Sequence, residues 1–138
     1  MTETHVVTCF LLDPKGRLLL LRRGSSVGSY RGRWAGVSGY LETDPLEQAF
    51  TEMREEVGLD RQDLILLSVG QEVKVEDPGL ERVWVVHPFL FRVKDPTRVR
   101  LDWEHSEYRW IDPSELSAFP TVPGLAEALG RVYPPPGR

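Results

Sequence analysis

The segment TEMREEVGLD, residues 51–60, carries the strongest structural signal in this chain of 138 residues. It sets Glu52, Glu55 and Glu56 at positions i, i+3 and i+4, which lie on one face of a helix. Like charges at these spacings destabilise a helix by about 0.2–0.5 kcal/mol per pair unless a cation lies among them. A hard divalent cation is the natural partner for three carboxylates. An acidic helix face is also common as solvated surface, so the neighbouring residues have to distinguish the two interpretations.

Signals for both ends of this helix flank the acidic segment. Asp44 is a good N-cap, Pro45 suits the first helical position, and Glu47 completes an Asp-x-x-Glu capping box. Gly58 supplies a stop signal. An apolar stripe at three- and four-residue steps predicts packing on a sheet and comprises Leu46, Ala49, Phe50, Met53 and Val57. The carboxylates lie roughly 120° from the centre of that stripe, so we expect them to point away from the core.

The segment RWAGVSGYLE, residues 33–42, leads into the helix. It ends a short apolar piece in a turn at Ser38 and Gly39, and Glu42 follows. A strand, a glycine turn and an acidic helix in succession bring backbone carbonyls close to carboxylates, which suits a magnesium site. Oxygen ligands favour Mg²⁺, with Mn²⁺ as the alternative.

Residues 39–59 resemble the Nudix box of the Nudix hydrolases. The family pattern runs Gly, five residues, Glu, seven residues, and then Arg-Glu-apolar-any-Glu-Glu-any-Gly-apolar, and residues 52–59 match its second half position for position. The first half departs, because Thr43 stands where the isolated Glu falls and Thr51 where the Arg falls. The glycine implies a loop shorter by two residues, and Glu42 can serve in place of the missing acid.

The resemblance implies the fold and the reaction class. The fold is an α/β (α+β) fold, a Nudix-type α/β/α sandwich with a mixed β-sheet between helices. The implied reaction is Mg²⁺-dependent hydrolysis of a phosphoanhydride in a nucleoside diphosphate linked to another group. The alternative is a catalytically weakened module that binds a nucleotide as a sensor or regulator, because Thr51 removes a cation from the site. Losing a cation beside carboxylates raises their mutual repulsion and makes the site more dependent on bound metal.

The resemblance also implies site residues. Metal ligands would be Glu52, Glu55, Glu56 and the carbonyl of Ser38, and two of these, Glu55 and Glu56, are also catalytic candidates. Glu104 joins the catalytic candidates, because the segment DWEHSEYRWID, residues 102–112, resembles the one that leads from a mobile loop into the last strand of many Nudix enzymes.

Two neighbours of Glu104 keep the role of the loop acid open. Glu107 is the second candidate, but Glu104 is preferred because it lies farther from the strand predicted at residues 108–111. His105 is an alternative proton acceptor near neutral pH.

A basic and aromatic cluster precedes the box. Arg22 and Arg23 end a predicted strand, and Arg33 and Trp34 follow in the next segment. Guanidinium groups bind phosphate oxygens and an aromatic ring can stack on a base, so these four residues are candidates for substrate binding. The competing interpretation is a polar loop with one tryptophan in the core.

The remaining elements follow from local patterns. Residues 5–12 and 17–23 predict a hairpin around Asp13-Pro14-Lys15-Gly16. Strands are predicted in residues 64–75 and 82–93, and Pro88 within the second implies a sheet edge or a bulge. A second helix is predicted over residues 122–132, with an inner face of Leu125, Ala128 and Leu129. We expect one domain over residues 1–133 and a Pro-rich tail, extended or disordered, over residues 134–138.

Composition limits the partners. The formal net charge is −4, which argues against binding to duplex nucleic acid. No apolar run approaches the ~20 residues that span a bilayer and no signal-peptide pattern is present, so we expect a cytoplasmic location and no membrane partner.

The single cysteine, Cys9, lies in an apolar run and is expected to be buried. Zinc is disfavoured because the three histidines show no known ligand spacing. The expected partner is a small-molecule diphosphate, and a homodimer stays open because relatives often form dimers.

Overall fold

One mixed sheet organises the computed structural model of this chain, in which residues 1–136 are described. Its eight strands in these residues are β1 (Thr2–Leu12), β2 (Leu18–Arg23), β3 (Trp34–Ala35), β4 (Val37–Tyr40), β5 (Leu64–Val69), β6 (Val73–Asp77), β7 (Arg82–Val93) and β8 (His105–Ile111). The central order is β3-β2-β1-β7-β5, with β4 beside β1, β6 beside β7 and β8 beside β2. β1 and β7 pair in parallel, and the other paired strands run antiparallel.

Two helices cover opposite faces of this sheet. They are α1 (Pro45–Val57) and α2 (Leu125–Gly130). Alternation along β1 sends Val7 and Cys9 into the cluster that packs on α1, and it sends Phe10 and Leu12 into the cluster that packs on α2. The predicted mixed sheet between helices is therefore confirmed, as is the burial of Cys9.

The limits of α1 agree with the sequence. The Asp44 carboxylate accepts the N–H of Glu47 at 3.2 Å, and Gly58 ends the helix with a φ of 72°. The capping box does not close, because the carboxylate of Glu47 pairs with Arg61 instead. The acidic face is therefore presented on a helix whose two ends are fixed by residues inside the same segment.

The first hairpin is also confirmed. β1 and β2 join at a turn in which the Asp13 carboxylate accepts the backbone N–H groups of Lys15 at 2.9 Å and Arg17 at 2.8 Å. Beyond this turn the strands diverge, so that β1 pairs with β4 while β2 pairs with β3 and β8. This divergence places β4 next to β1. The turn predicted at Ser38 and Gly39 is wrong, because both residues lie within β4 and pair with Thr8 and Val7 of β1, and the chain leaves the strand only after Tyr40.

Two predictions about the later strands need correction. The single strand expected in residues 64–75 is two strands, β5 and β6. Pro88 does not lie at a sheet edge, because β7 has β1 on one side and β5 and β6 on the other. β5 pairs as far as Phe89 and β6 begins opposite Val86, so on that side of β7 the partner strand changes at Pro88, while on the other side the pairing with β1 continues through Thr8 and Pro88.

The second helix is shorter than predicted. α2 spans six residues rather than residues 122–132, and Gly124 precedes it with a φ of 79°. Its inner face of Leu125, Ala128 and Leu129 is buried as expected. Residues 134–136 form no helix or strand, and positions 137 and 138 of the predicted tail lie outside the described residues. No helix in residues 1–136 is long and apolar enough to cross a membrane.

Candidate active site

A cavity of about 320 Å³ opens beside β4 and the acidic face of α1. Its acidic lining residues are Glu42, Glu52, Glu55 and Glu104. Ser38 and Gly39 line it from β4, and Arg23 is the arginine that reaches it. The structure therefore brings together predicted site residues that are up to about eighty positions apart in the sequence.

Gly39 allows the Glu52 carboxylate to lie directly against β4. A Cβ atom at position 39 would overlap that carboxylate, so the close approach depends on the missing side chain. Partial burial, followed by the negative charge of Glu55, raises the pKa of Glu52 to about 7. Glu52 is thus held as a carboxyl group that readily exchanges a proton near neutral pH.

Glu56 departs from the expectation that all three carboxylates point away from the core. Glu56 is 2% exposed, and its Oε2 atom has no hydrogen-bond partner. The chain segment before β8 covers it, since the N–H of Asp102 donates to the carbonyl of Glu56 at 3.2 Å. Burial, followed by the charges of Glu104 and Glu52, raises the pKa of Glu56 well above its usual value.

His105 lies behind Glu56 and outside the cavity lining. Its Nε2 atom is 3.7 Å from Glu56 Oε1, and its Nδ1 atom is 3.3 Å from Asp102 Oδ1. Burial lowers the pKa of His105, which favours the neutral ring. His105 is therefore placed to contact a carboxylate rather than to meet a molecule in the cavity.

The two candidates for the loop acid are separated by the structure. Glu104 lines the cavity, and burial followed by the charge of Asp102 raises its pKa. Glu107 lies on β8 and pairs with Arg22 at 3.0 Å, outside the cavity lining. Glu104 is thus the one of the pair that can meet a bound molecule.

The four residues proposed for substrate binding do not converge. Arg23 lines the cavity, with its Nε atom donating to the carbonyl of Ser29 at 2.9 Å. Arg22 is engaged with Glu107 and Arg33 donates to a backbone carbonyl at 2.9 Å, and neither lines the cavity. The strand predicted to deliver both adjacent arginines points them in different directions, because successive side chains alternate.

Trp34 is a core residue in this structure. It is 5% exposed and meets the ring of Phe119 edge to face, with 5.5 Å between the ring centroids. It does not line the cavity. The interpretation as a core tryptophan therefore replaces the one as a base-stacking residue.

Other aromatic residues take its place in the cavity wall. Tyr30, Tyr40 and Trp84 line the cavity, and the Nε1–H of Trp84 donates to the hydroxyl of Tyr30 at 3.2 Å. The Tyr30 hydroxyl in turn bonds to Asp77. Apolar residues complete the wall and are Val6, Ala35, Val86, Val122, Pro123, Leu125 and Ala128. The sequence carried no signal that residues 122–128 would border the acidic helix.

A sequence model of the NUDIX domain matches residues 2–132. The chain belongs to the Nudix hydrolase family. The resemblance of residues 39–59 to the Nudix box is therefore confirmed at the level of the family.

Individual relatives of this Nudix chain are distant. An octanoyltransferase from Myxococcus xanthus is 31% identical over 122 residues, which are 86% of this chain and 33% of that protein. The chain thus spans about a third of that relative's length. The nucleoside triphosphatase NudI of Klebsiella pneumoniae is 25% identical over 124 residues, covering 83% of this chain and 86% of that protein. The MutT protein from Methanosarcina mazei Go1 has the same fold, with a TM-score of 0.78 and 23% identity over 94% of this chain and 92% of that one.

Gln48 occupies a position that sequence reasoning passed over. It is 3% exposed, its Oε1 accepts the N–H of Glu42 at 3.0 Å, and its amide donates to Glu52 Oε2 at 3.4 Å. Thr51, at the place of the Nudix-box arginine, borders a separate groove and does not line the cavity. In this Nudix chain an uncharged side chain therefore links the loop before α1 to a site carboxylate.

The carboxylates at the Nudix cavity are suited to bind a divalent cation through their oxygen atoms. Glu52 lies in the space that Gly39 leaves open, whereas Glu56 lies outside the cavity lining and carries a buried oxygen without a partner. Within residues 1–136 no three donor atoms of this cavity lie within 4.8 Å of one another, so the carboxylates are not gathered at one point. Mutual repulsion keeps like charges apart, and a cation is the species that offsets it.

Proposed function

We propose that this chain is a Mg²⁺-dependent pyrophosphohydrolase that cleaves a phosphoanhydride bond in a nucleotide or nucleotide derivative. The observation that carries the proposal is the cavity that Glu52, Glu55 and Glu104 line together with Arg23 and with a set of aromatic and apolar residues. Carboxylates suit a cation, a guanidinium suits a phosphate, and aromatic rings suit a planar base. Membership of the Nudix family and the similarity to a nucleoside triphosphatase support the same reaction class.

The metal would be held by Glu52, Glu55 and Glu56 together with the carbonyl of Ser38. When bound, Mg²⁺ polarises a phosphoryl oxygen and neutralises charge that develops during transfer, and Mn²⁺ can supply the same chemistry. Gln48 keeps Glu52 oriented, because its amide donates to Glu52 Oε2 at 3.4 Å. This contact reduces the rotamer freedom that Glu52 would lose on binding the metal.

Arg23 orients the diphosphate. Its Nε atom is fixed by the Ser29 carbonyl, which leaves the terminal nitrogens of the guanidinium for phosphate oxygens. Tyr30 and Trp84 are joined by a hydrogen bond and so form a rigid surface for the group that carries the diphosphate. Binding at these two points would align the anhydride with the acidic side of the cavity.

Glu104 accepts the proton of the attacking water. Partial burial and the nearby Asp102 raise its pKa, so it is a stronger base than a free glutamate. The water oxygen forms a bond to phosphorus while the bridging P–O bond breaks, and the water proton passes to the Glu104 carboxylate. The products are two phosphorylated fragments, one of which leaves with the bridging oxygen.

A substrate panel tests this proposal. The purified chain is incubated with Mg²⁺ and with nucleoside triphosphates, nucleotide sugars, dinucleoside polyphosphates and a diphosphate that lacks a nucleoside, and released phosphate and pyrophosphate are measured. Arg23→Ala is expected to raise KM, whereas Arg22→Ala, its neighbour outside the cavity, is expected to behave like the wild type. Failure of every compound with both Mg²⁺ and Mn²⁺ would contradict the proposal.

The competing function is nucleotide binding without turnover. Thr43 and Thr51, at the places of the two Nudix-box residues that this chain lacks, favour it. It predicts heat in a calorimetric titration with a nucleotide and Mg²⁺, but no release of phosphate or pyrophosphate at any metal concentration. The same nucleotide tested in both assays distinguishes a sensor from an enzyme.

A further inference from the structure

A second group of metal-ligating side chains lies outside the cavity. His5, Glu72 and His87 are the one set in residues 1–136 in which three histidine, cysteine or acidic side chains each have a donor atom within 4.8 Å of the others. None of the three lines the cavity. Three imidazole and carboxylate donors at such a separation form a ligand set of the kind that holds a transition metal.

The sequence disfavoured zinc because the histidines show no ligand spacing along the chain, but the strand register brings together two of them that are 82 positions apart. β1 and β7 are parallel neighbours, with His5 opposite Val85 and Val7 opposite His87. The two histidines are therefore diagonal neighbours on one face of the sheet. Val6 and Val86, the adjacent residues on the same strands, line the cavity, so the histidines point to the opposite face.

The donor atoms are close to a coordinating arrangement. His5 Nδ1 and His87 Nε2 are 2.9 Å apart, and Glu72 Oε2 is 3.9 Å from the same His87 nitrogen. Two imidazole nitrogens on a tetrahedral zinc ion, each at ~2.0–2.1 Å, are about 3.3 Å from each other. Small ring movements would reach that separation, and a fourth position would stay open for water.

The surroundings of His5 resemble those of a metal-bound imidazole. Its second nitrogen, Nε2, lies 3.8 Å from a carboxylate oxygen of Glu3, and Lys74 holds the other oxygen of Glu3 at 3.2 Å. An outer carboxylate on the non-ligating nitrogen fixes the tautomer that leaves the other nitrogen free to bind. For His87, burial and the neighbouring His5 lower the pKa, which favours the neutral ring that binds metals.

We propose that His5, Glu72 and His87 bind a zinc-class transition metal at a site separate from the magnesium site of the cavity. Two imidazole nitrogens and one carboxylate favour Zn²⁺ over Mg²⁺, which prefers an octahedral shell of oxygen. The ion joins the start of β1 to β7 and to the residues that connect β5 and β6. It therefore stabilises the folded chain without taking part in the proposed reaction.

Titration of the metal-free full chain with Zn²⁺, in excess Mg²⁺, tests this site. We expect one strong binding event by calorimetry, with an affinity that falls in His5→Gln and in His87→Gln by more than the ~10–100-fold typical of an outer-shell residue. Glu72→Gln should weaken binding in the same direction, and Glu76→Gln, an exposed carboxylate on β6, should not. The double variant Glu52→Gln/Glu56→Gln should keep the event, because both residues belong to the proposed magnesium site and neither belongs to this group of three.

Histidine resonances provide a readout that does not depend on any variant. The chain has three histidines, so the ring signals of the wild type can be assigned individually. Zn²⁺ should shift the signals of His5 and His87 and leave those of His105 in place. Strong zinc binding that survives both histidine substitutions, or that shifts His105 alone, would overturn the proposal. If a histidine variant fails to fold, the Glu72 variant and the wild-type spectra still decide it.

Discussion

Replacement of Glu56 by glutamine is expected to stabilise the metal-free fold while it removes activity. The carboxylate is 2% exposed and one of its oxygens has no partner, so the native chain buries an incompletely satisfied acid. An unsatisfied buried polar group typically costs about 1–3 kcal/mol. Glutamine has the same shape and no charge, but its amide must also be buried, so we expect a gain of about 1 kcal/mol near neutral pH.

The raised pKa of Glu56 predicts how the difference in stability between the wild type and the variant changes with pH. The pKa of Glu56 is raised in the folded state, so the native chain retains a proton that the unfolded chain releases at its usual pKa of about 4.3. The free energy of unfolding of the wild type therefore falls as the pH rises above that value, by up to ~1.4 kcal/mol per pH unit for this group. The Glu56→Gln variant lacks that contribution, so its advantage over the wild type should grow with pH and vanish in acid.

Urea unfolding in a metal chelator, followed by tryptophan fluorescence at several pH values, measures this difference. Glu76→Gln, an exposed carboxylate on β6, is the control and should change stability by less than ~0.5 kcal/mol at each pH. In the presence of Mg²⁺ the Glu56 variant should lose activity by about 10²-fold or more. A variant that is less stable than the wild type at every pH would refute the reasoning, because the carboxylate would then make net favourable contacts in the fold.

Three further predictions concern the positioning of the site. Gly39→Ala should displace the Glu52 carboxylate that lies against β4, and so lower activity with little change in the midpoint of urea unfolding. The control is Gly28→Ala, where a Cβ meets nothing within 4 Å, and it should match the wild type in activity and in unfolding. Gln48→Ala should lower the free energy of urea unfolding by about 1–2 kcal/mol and weaken Mg²⁺ binding in calorimetry, because the hydrogen bonds of Gln48 to Glu42 and to Glu52 are lost. An unchanged Mg²⁺ affinity would show that Gln48 does not position Glu52. Glu104→Gln should lower kcat at least ~10²-fold while Glu107→Gln leaves it near the wild-type value, and equal losses would remove the distinction between the two acids.

The helix α1 and the box on it could be predicted from the sequence because the signals are local. Asp44 and Gly58 act on backbone groups within one helical turn, and the apolar stripe needs only the helical period. The hairpin turn at Asp13 is local in the same sense. Interactions that span a few residues can be read without knowledge of the rest of the chain.

The surroundings of each site residue could not be read in this way. The burial of Glu56 depends on a segment more than forty positions later in the chain, which packs over the end of α1. Trp34 and Arg23 are both near the box, yet only Arg23 reaches the cavity. Periodicity gives the face on which a side chain lies, but it does not give the element that covers that face.

By itself the sequence determined the acidic helix, its two ends and the family of the chain, because these depend on spacing within one segment. Only the tertiary structure decided which carboxylate is buried, which aromatic rings form the cavity wall, and that His5 and His87 lie 2.9 Å apart. The physical reason is that strand pairing brings distant residues into register. The contacts of a side chain then follow from its neighbours across the sheet rather than from its neighbours along the chain.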